Sequence, residues 1–210
     1  VVAYPAGNRL NPQISDEEIS ARARAEGALK IVFLGSVISR KNLHTLVDAL
    51  ALLDEEYQLT VIGNLDVEPA YARKVQRQIE GLGLGEKITF AGALNGEPLK
   101  AALRAHHILA MPSSYEGFGI VYLEGMGYGL PAIGSTDGAA HEIITPDVDG
   151  YLVDPSDAET LASHLRTLAR DREKLIQMSL AARERYLAHP TWDESMAKIR
   201  EFLLEITKVG

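Results

Sequence analysis

Short, uninterrupted apolar runs alternate with segments of helical periodicity along most of this chain. Strands that are apolar on both faces are typical of parallel sheets whose two faces are covered by helices. The pattern therefore predicts an α/β fold, with a parallel sheet flanked by helices and a helical C-terminal section after about residue 155. The expected strands cover residues 29–34, 58–62, 87–90, 108–111 and 131–133, and a further apolar segment lies at 151–153.

Capping-box pairs mark several of the expected helix starts, because a Ser or Thr followed three residues later by Glu satisfies free amides at a helix N-terminus. These signals divide the chain into a linker with a short helix at 1–28, a sheet-bearing section at 29–188 and a last helix at 189–210. The His189-Pro190 step before the last helix favours a change of direction there. The pairs are Ser15 with Glu18, Ser156 with Glu159, and Thr191 with Glu194.

Composition narrows the classes of function. The net charge of −8 over 210 residues argues against a general nucleic-acid binder, which is usually basic. The chain has no cysteine, which removes disulfides and thiolate sites and fits a cytoplasmic location. No apolar run reaches the ~18 residues of a transmembrane helix. Because the sequence begins with Val1 rather than Met, we expect a fragment of a longer protein.

The loop after the strand at 108–111 carries two glutamates around a glycine-rich helix start. Glu116 precedes Gly117 and Gly119, and Glu124 follows seven intervening residues after Glu116. Glycines at a helix start let a ligand approach bare backbone amides, which suits an anion. The carboxylates beside such a site are suited to gripping hydroxyl groups.

A second loop supplies the positive charge that an anion needs. Arg40 and Lys41 follow Gly35 at the end of the first strand and stand at the start of a helix. Two cations at the positive end of a helix dipole are unfavourable unless an anion is bound. Since ligands bind at the carboxyl ends of parallel strands, we expect this loop, the 116–119 loop and the 134–138 loop to converge.

Taken together, these motifs resemble the donor-binding half of retaining family-4 glycosyltransferases, from about residue 29 to the C-terminus. The resemblance implies a Rossmann-like domain of the two-domain GT-B architecture, whose N-terminal acceptor domain is absent here. It further implies that the last helix crosses toward that domain, and it leaves open a peripheral membrane contact through the absent half. The matching pieces are Gly35 with Arg40-Lys41-Asn42-Leu43, the run from Pro112 to Gly119 with Glu124, Gly129-Leu130-Pro131 with Glu142, and Pro190-Thr191-Trp192.

The resemblance also assigns roles to individual residues. The donor is expected to be a nucleoside-diphosphate sugar, with UDP or GDP as the nucleotide, and transfer is expected to need no metal or other cofactor. Glu116, Arg40 and Lys41 form the catalytic set, in which Glu116 faces the sugar hydroxyls and the two cations hold the diphosphate. Glu124 is expected to bind the ribose hydroxyls. The remaining binding residues are Gly35 in the loop after the first strand, Ala93 and Leu94 near the base, and Gly117, Phe118, Gly119 and Ile120 along the glycine loop. The family more often has arginine directly after the first glycine, where this chain has Ser36.

Other interpretations of the sequence stay open at this point. A nucleotide-binding module without transferase activity and a sugar-nucleotide epimerase domain would both carry such a site. A dinucleotide oxidoreductase is disfavoured because residues 35–39 lack the G-x-G-x-x-G glycines. Asp147-Val148-Asp149 has the form of a metal motif but precedes Gly150 in an expected turn. His106 and His107 are expected to be structural rather than ligands.

Overall fold

The structure, a computed structural model, describes residues 1–207 and contains a six-stranded sheet. All neighbouring strands are parallel, in the order β3-β2-β1-β4-β5-β6. The predicted α/β class and parallel sheet are therefore confirmed. The strands are β1 (Leu29–Leu34), β2 (Tyr57–Ile62), β3 (Ile88–Gly92), β4 (Ile108–Ala110), β5 (Ala132–Ser135) and β6 (Gly150–Val153).

The strand order reverses its direction of growth between β1 and β4, which lie side by side in the centre of the sheet. In doubly wound sheets, the loops that follow two such strands diverge to opposite faces and leave a crevice at the carboxyl edge. The loop after β1 carries Arg40 and Lys41, and the loop after β4 carries Glu116. The topology thus places both predicted charge-bearing loops at this crevice.

Helices cover both faces of the sheet, and they alternate with the strands along the chain as the sequence predicts. The helix expected to start at Ser156 is capped instead by Asp157, whose carboxylate accepts from the Thr160 amide at 2.9 Å. Ser156 turns away because its amide and hydroxyl both donate to Asp154. The helices are α1 (Asp16–Arg24), α2 (Leu43–Ala51), α3 (Pro69–Gly81), α4 (Gly96–Ala105), α5 (Ile120–Met126), α6 (Ala158–Arg170), α7 (Arg172–Ala188) and α8 (Trp192–Thr207).

The segment before α1 packs on α5 rather than running as an extended linker throughout. A 3-10 turn at Asn8–Leu10 buries Leu10, and Ala6 before it is also buried. Gly7 lies so close to α5 that a Cβ there would come within 2.5 Å of the Leu123 Cβ. Glycine at this position therefore lets the turn seat directly on the helix that carries Glu124.

Helix α8 follows the confirmed capping box of Thr191 and Glu194 and exposes most of its surface. The last part of the section expected at 189–210, residues 208–210, lies outside the described residues. Within residues 1–207, no helix combines the length and the apolar character that crossing a bilayer requires. The exposed large apolar side chains of α8 are Trp192, Met196, Phe202, Leu203, Leu204 and Ile206.

Candidate functional site: a charged crevice at the carboxyl edge of the sheet

The three loops expected to converge are joined by backbone hydrogen bonds. The Ser114 amide donates to the Arg40 carbonyl at 2.8 Å, and the Arg40 guanidinium donates to the Tyr115 carbonyl. From the loop after β5, the Ala139 amide donates to the Glu116 carbonyl at 2.9 Å. Two of these three contacts join backbone to backbone, so the relative positions of the loops depend little on side-chain rotamers.

Glycine is required at two places where these loops meet. A Cβ on Gly35, which has φ of +148°, would come within 2.6 Å of the Lys41 Nζ, so the lysine side chain lies directly over this glycine. Gly63, at the end of β2, approaches the Gly35 carbonyl so closely that a Cβ would come within 1.9 Å of that oxygen. The glycines at the strand ends thus create the space that Lys41 occupies.

Lys41 and Glu116 form the buried part of the site. The Lys41 Nζ lies 3.4 Å from Oε1 of Glu116 and 3.2 Å from the Met111 sulfur, and each charged side chain is 13% exposed. The same Oε1 accepts a 3.0 Å hydrogen bond from the Ser113 hydroxyl, which fixes the carboxylate. Burial lowers the pKa of Lys41, and the negative charge of Glu116 opposes that shift.

Arg40 forms the open side of the site. Its side chain is 44% exposed, and one guanidinium nitrogen lies 3.7 Å from Oε1 of Glu116. Arg40 and Lys41 belong to a 3-10 turn, Ser39–Lys41, that ends at Asn42 in the left-handed conformation. The Asn42 side chain donates to the Pro112 carbonyl at 3.1 Å and so ties this turn to the loop after β4. Glu116 thus faces both cations of the predicted diphosphate clamp.

The glycine loop leads into α5 as expected. Gly119 has φ of +88°, and a Cβ there would come within 2.6 Å of the Tyr122 ring, so both its conformation and its surroundings require glycine. The Tyr122 hydroxyl is buried below the loop and donates to the Met111 carbonyl at 2.9 Å. Gly117 is exposed and Ile120 is half-buried at the start of α5.

Phe118 anchors the loop to both ends of the chain. Its ring stacks on Tyr4 at 6.1 Å between centroids and packs at a tilt on His189 at 5.8 Å. Tyr4 precedes the 3-10 turn, and His189 lies between α7 and α8. Phe118 was expected among the binding residues of the glycine loop, and the structure places its ring in this aromatic cluster.

Glu124 is buried in α5 and pairs with a residue that the sequence did not single out. Its side chain is 7% exposed, and Oε1 lies 2.8 Å from a guanidinium nitrogen of Arg9 in the 3-10 turn. Burial raises the pKa of Glu124, and the adjacent Arg9 opposes that rise. No motif signal pointed to Arg9, because more than a hundred residues separate it from Glu124 along the chain.

Ala93 and Leu94 lie at the same edge of the sheet, directly after β3. The Gly63 amide at the end of β2 donates to the Gly92 carbonyl at 2.8 Å, and this bond fixes the start of the loop beside the end of β2. Ala93 is exposed and Leu94 is half-buried against the core. The predicted base-binding backbone is therefore accessible from the carboxyl edge.

The residues for which a structural role was expected have one. Asp149 accepts from the Thr145 amide at 2.7 Å, and Asp147 adopts φ of 63° in the turn before Gly150. His107 is buried and accepts at Nδ1 from the Lys30 amide at 3.0 Å. In the described part of the chain, no group of three or more His, Asp or Glu side chains is placed to hold a metal ion.

A parallel sheet with these loops at its switch point defines a Rossmann-like domain. The chain belongs to the family of glycosyl transferases group 1, and the match covers residues 15–185. The family predicted from the sequence motifs is thereby confirmed.

The chain is similar to a longer curated relative and to solved structures. It is 28% identical over 196 residues to GDP-mannose-dependent alpha-(1-6)-phosphatidylinositol monomannoside mannosyltransferase of Mycobacterium tuberculosis, covering 89% of this chain and 50% of that protein. The Anabaena protein Alr3699/HepE, solved in complex with UDP and glucose, superposes with a TM-score of 0.84 at 24% identity, covering 98% of this chain and 57% of that one.

A third similar structure contains one domain only. The C-terminal domain of a Francisella tularensis glycosyl transferase group 1 family protein (LpcC) superposes with a TM-score of 0.73 at 22% identity, covering 88% of this chain and 97% of that one. The likeness to the two solved structures confirms the Rossmann-like fold. The chain itself spans about half the length of the curated relative that it matches.

Proposed function

We propose that this chain is the donor-binding domain of a retaining glycosyltransferase and that it binds a nucleoside-diphosphate sugar in the crevice between β1 and β4. The observation that carries the proposal is the meeting of Arg40, Lys41 and Glu116 at the carboxyl edge of the sheet. Cations next to a carboxylate suit a ligand that presents phosphates and hydroxyls side by side. Membership of the glycosyl transferases group 1 family favours this function over an epimerase or a nucleotide-binding module.

The proposed chemistry follows from the charges. Transfer breaks the bond between the anomeric carbon and the diphosphate oxygen, so negative charge accumulates on the departing nucleoside diphosphate. One cation about 4 Å from that charge contributes about 4 kcal/mol of raw attraction at an effective dielectric of 20. Arg40 and Lys41 are held by the loop contacts before the reaction begins, so they need little reorganisation. We propose that this charge stabilisation proceeds without a metal ion. We also propose that the sugar keeps its anomeric configuration, as the family resemblance implies.

The two glutamates take separate parts of the donor in this proposal. Glu116 lies beside the cations and would accept from hydroxyls of the sugar next to the diphosphate. Glu124 lies in α5, after the glycine loop that Glu116 precedes, and would accept from the ribose hydroxyls. The backbone of Ala93 and Leu94 would meet the base, and the amides of Gly117, Phe118 and Gly119 would assist at the diphosphate.

The nucleotide is proposed to be UDP or GDP. Names of similar proteins point to both, since the mycobacterial relative is described as GDP-mannose-dependent and the Anabaena structure contains UDP. Calorimetric titration of the chain with UDP, GDP and ADP, and then with their sugars, decides between them. We expect one nucleotide to bind and its sugar form to bind with a different affinity. Absence of binding for every nucleotide and nucleotide-sugar would refute the proposed function.

Transfer is proposed to need a second, acceptor-binding domain. The chain spans about half of its curated relative, and α8 exposes large apolar side chains that a neighbouring domain would cover. We therefore expect the 210-residue chain to bind donor without transferring sugar. Robust glycosyl transfer by the isolated chain, measured with a radiolabelled donor, would contradict the need for a second domain.

A further inference from the structure

The Glu124 carboxylate is the most deeply buried charge proposed to touch the donor, and its two oxygens have different surroundings. Oε1 is held at 2.8 Å by Arg9, which is the only hydrogen-bonding partner of this carboxylate within residues 1–207. An ionised carboxylate offers about four lone-pair positions. Oε2 therefore keeps its capacity to accept hydrogen bonds from a ligand.

Arg9 is presented to Glu124 by a backbone that cannot easily shift. Gly7 lies against Leu123, one residue before Glu124, and Leu10 is buried on the other side of Arg9. The Arg9 side chain itself is 63% exposed, whereas the Glu124 side chain that it pairs with is 7% exposed. The Arg9 guanidinium therefore holds Oε1 of Glu124, and Oε2 stays free to accept from a ligand.

We propose that Arg9 is a positioning residue for ribose recognition, and that it orients the Glu124 carboxylate so that Oε2 accepts from the vicinal ribose hydroxyls. The inference rests on the proposed function, because it deepens the role given to Glu124. A buried carboxylate without a partner tends to take up a proton, and a protonated carboxyl group is a poorer acceptor for a diol.

The charged and titratable groups that face Glu124 come from two elements. Arg9 lies in the 3-10 turn, and Tyr186 approaches from α7. Burial raises the pKa of Tyr186, and the negative charge of Glu124 adds to that rise. The ranges of β4 and β5 beneath α5 contain no titratable side chain. Removing Arg9 therefore takes away the one cation that opposes the effect of burial on the pKa of Glu124.

The test compares ribonucleotides with analogues that lack the diol. We would titrate Arg9→Met, Arg9→Lys and Glu124→Gln chains with UDP and GDP and with their 2′,3′-dideoxy forms. We expect the unaltered chain to prefer the ribonucleotide by about tenfold or more, the size of one charged hydrogen bond. Arg9→Met should bring that ratio close to one, and Arg9→Lys should restore part of it.

Two further measurements separate positioning from a structural role. In the Glu124→Gln background, Arg9→Met should cause no additional loss of ribose preference, since the two residues act as one unit. Any ribose preference that Arg9→Met keeps at alkaline pH should be lost, as the pH falls, at a higher pH than in the unaltered chain, because its Glu124 takes up a proton more readily. Arg73→Met, an exposed change on α3, serves as the matched control.

Each remaining outcome has a distinct meaning. If the unaltered chain binds no nucleotide, the proposed function fails before this inference is reached. If it prefers ribonucleotides and Arg9→Met keeps the same ratio, Arg9 only fastens the linker and the inference is wrong. Tighter ribonucleotide binding by Arg9→Met would show that Arg9 competes with the ribose, and that result would also overturn it.

Discussion

The ammonium group of Lys41 lies 3.4 Å from Oε1 of Glu116, so a cation proposed for the diphosphate already faces a carboxylate proposed for the sugar. The two roles are therefore coupled through one ion pair. A bound diphosphate must share Lys41 with Glu116, and the affinity for the nucleotide depends on both side chains.

Loss of either cation should weaken binding of the diphosphate more than binding of the nucleoside. We expect Arg40→Ala and Lys41→Met each to reduce nucleoside diphosphate affinity by about 10- to 100-fold, as removal of a charged hydrogen bond typically does. Calorimetry with uridine or guanosine and the matching diphosphate measures the difference. Arg73→Ala on the exposed face of α3 is the control. Equal losses for nucleoside and diphosphate would remove these residues from the phosphate site.

Replacement of Glu116 should have opposite effects on two ligands. Glu116→Gln removes the negative charge beside Lys41 and Arg40, so the bare nucleoside diphosphate should bind as tightly as before or several-fold more tightly. The extra affinity contributed by the sugar should fall, because an amide replaces a carboxylate as the partner of its hydroxyls. Weaker binding of the bare diphosphate by Glu116→Gln would contradict this arrangement of charges.

The contact of Gly138 with Glu116 should be sensitive to a single methyl group. Gly138 has φ of +77°, and a Cβ there would come within 2.6 Å of the Glu116 carbonyl oxygen. Gly138→Ala should cost about 1–3 kcal/mol in the free energy of unfolding and should weaken nucleotide-sugar binding. Urea denaturation and calorimetry measure the two effects. Gly85→Ala is the matched control, since a Cβ there meets no atom within 4 Å. Unchanged stability of Gly138→Ala would argue against the close contact.

Buried His107 should make the fold sensitive to acid. Burial lowers the pKa of His107 from 6.5 to about 4, and its Nδ1 already accepts from the Lys30 amide. Above pH 6.5 the imidazole is neutral in both the folded and the unfolded chain, so it causes no pH dependence there. As the pH falls from 6.5 to about 4, only the unfolded chain takes up the proton, and stability is lost.

The expected loss from His107 is at most about 3.5 kcal/mol, since each pKa unit corresponds to about 1.4 kcal/mol. Urea denaturation at a series of pH values measures it as a slope. His107→Gln should flatten that slope, whereas His141→Gln, at an exposed position, should leave it unchanged. The same acid slope in His107→Gln would assign the effect to other groups.

The sheet was predictable because its signals are local. The strand expected at residues 29–34 is found with the same bounds, since it is a continuous apolar run between clear breaks. The prediction that Ser156 caps α6 was wrong, because the Ser156 hydroxyl donates to Asp154 in a turn that the motif does not reveal. Parallel topology alone then brings the loops after β1, β4 and β5 to one edge.

The pairings inside the site were less accessible to sequence reasoning. Arg40, Lys41 and Glu116 were each singled out, but their ion pairs depend on how side chains lie over Gly35 and beside Ser113. Arg9 was not singled out, because the segment before α1 has the composition of a linker and its partner Glu124 is distant in the chain. A glycine with an essential close contact, Gly7, looks the same in sequence as a glycine in a flexible loop.

The fastening of the first residues to the start of the last helix has a mechanical consequence. The Pro5 carbonyl faces Nε2 of His189 at 2.8 Å, and the Tyr4 carbonyl accepts from the Ser195 hydroxyl at 2.7 Å. The chain therefore enters and leaves the body of the domain at one joint, which sits against Phe118 of the glycine loop. A force or torque applied through either segment would therefore act first on that joint, and through Phe118 on the glycine loop.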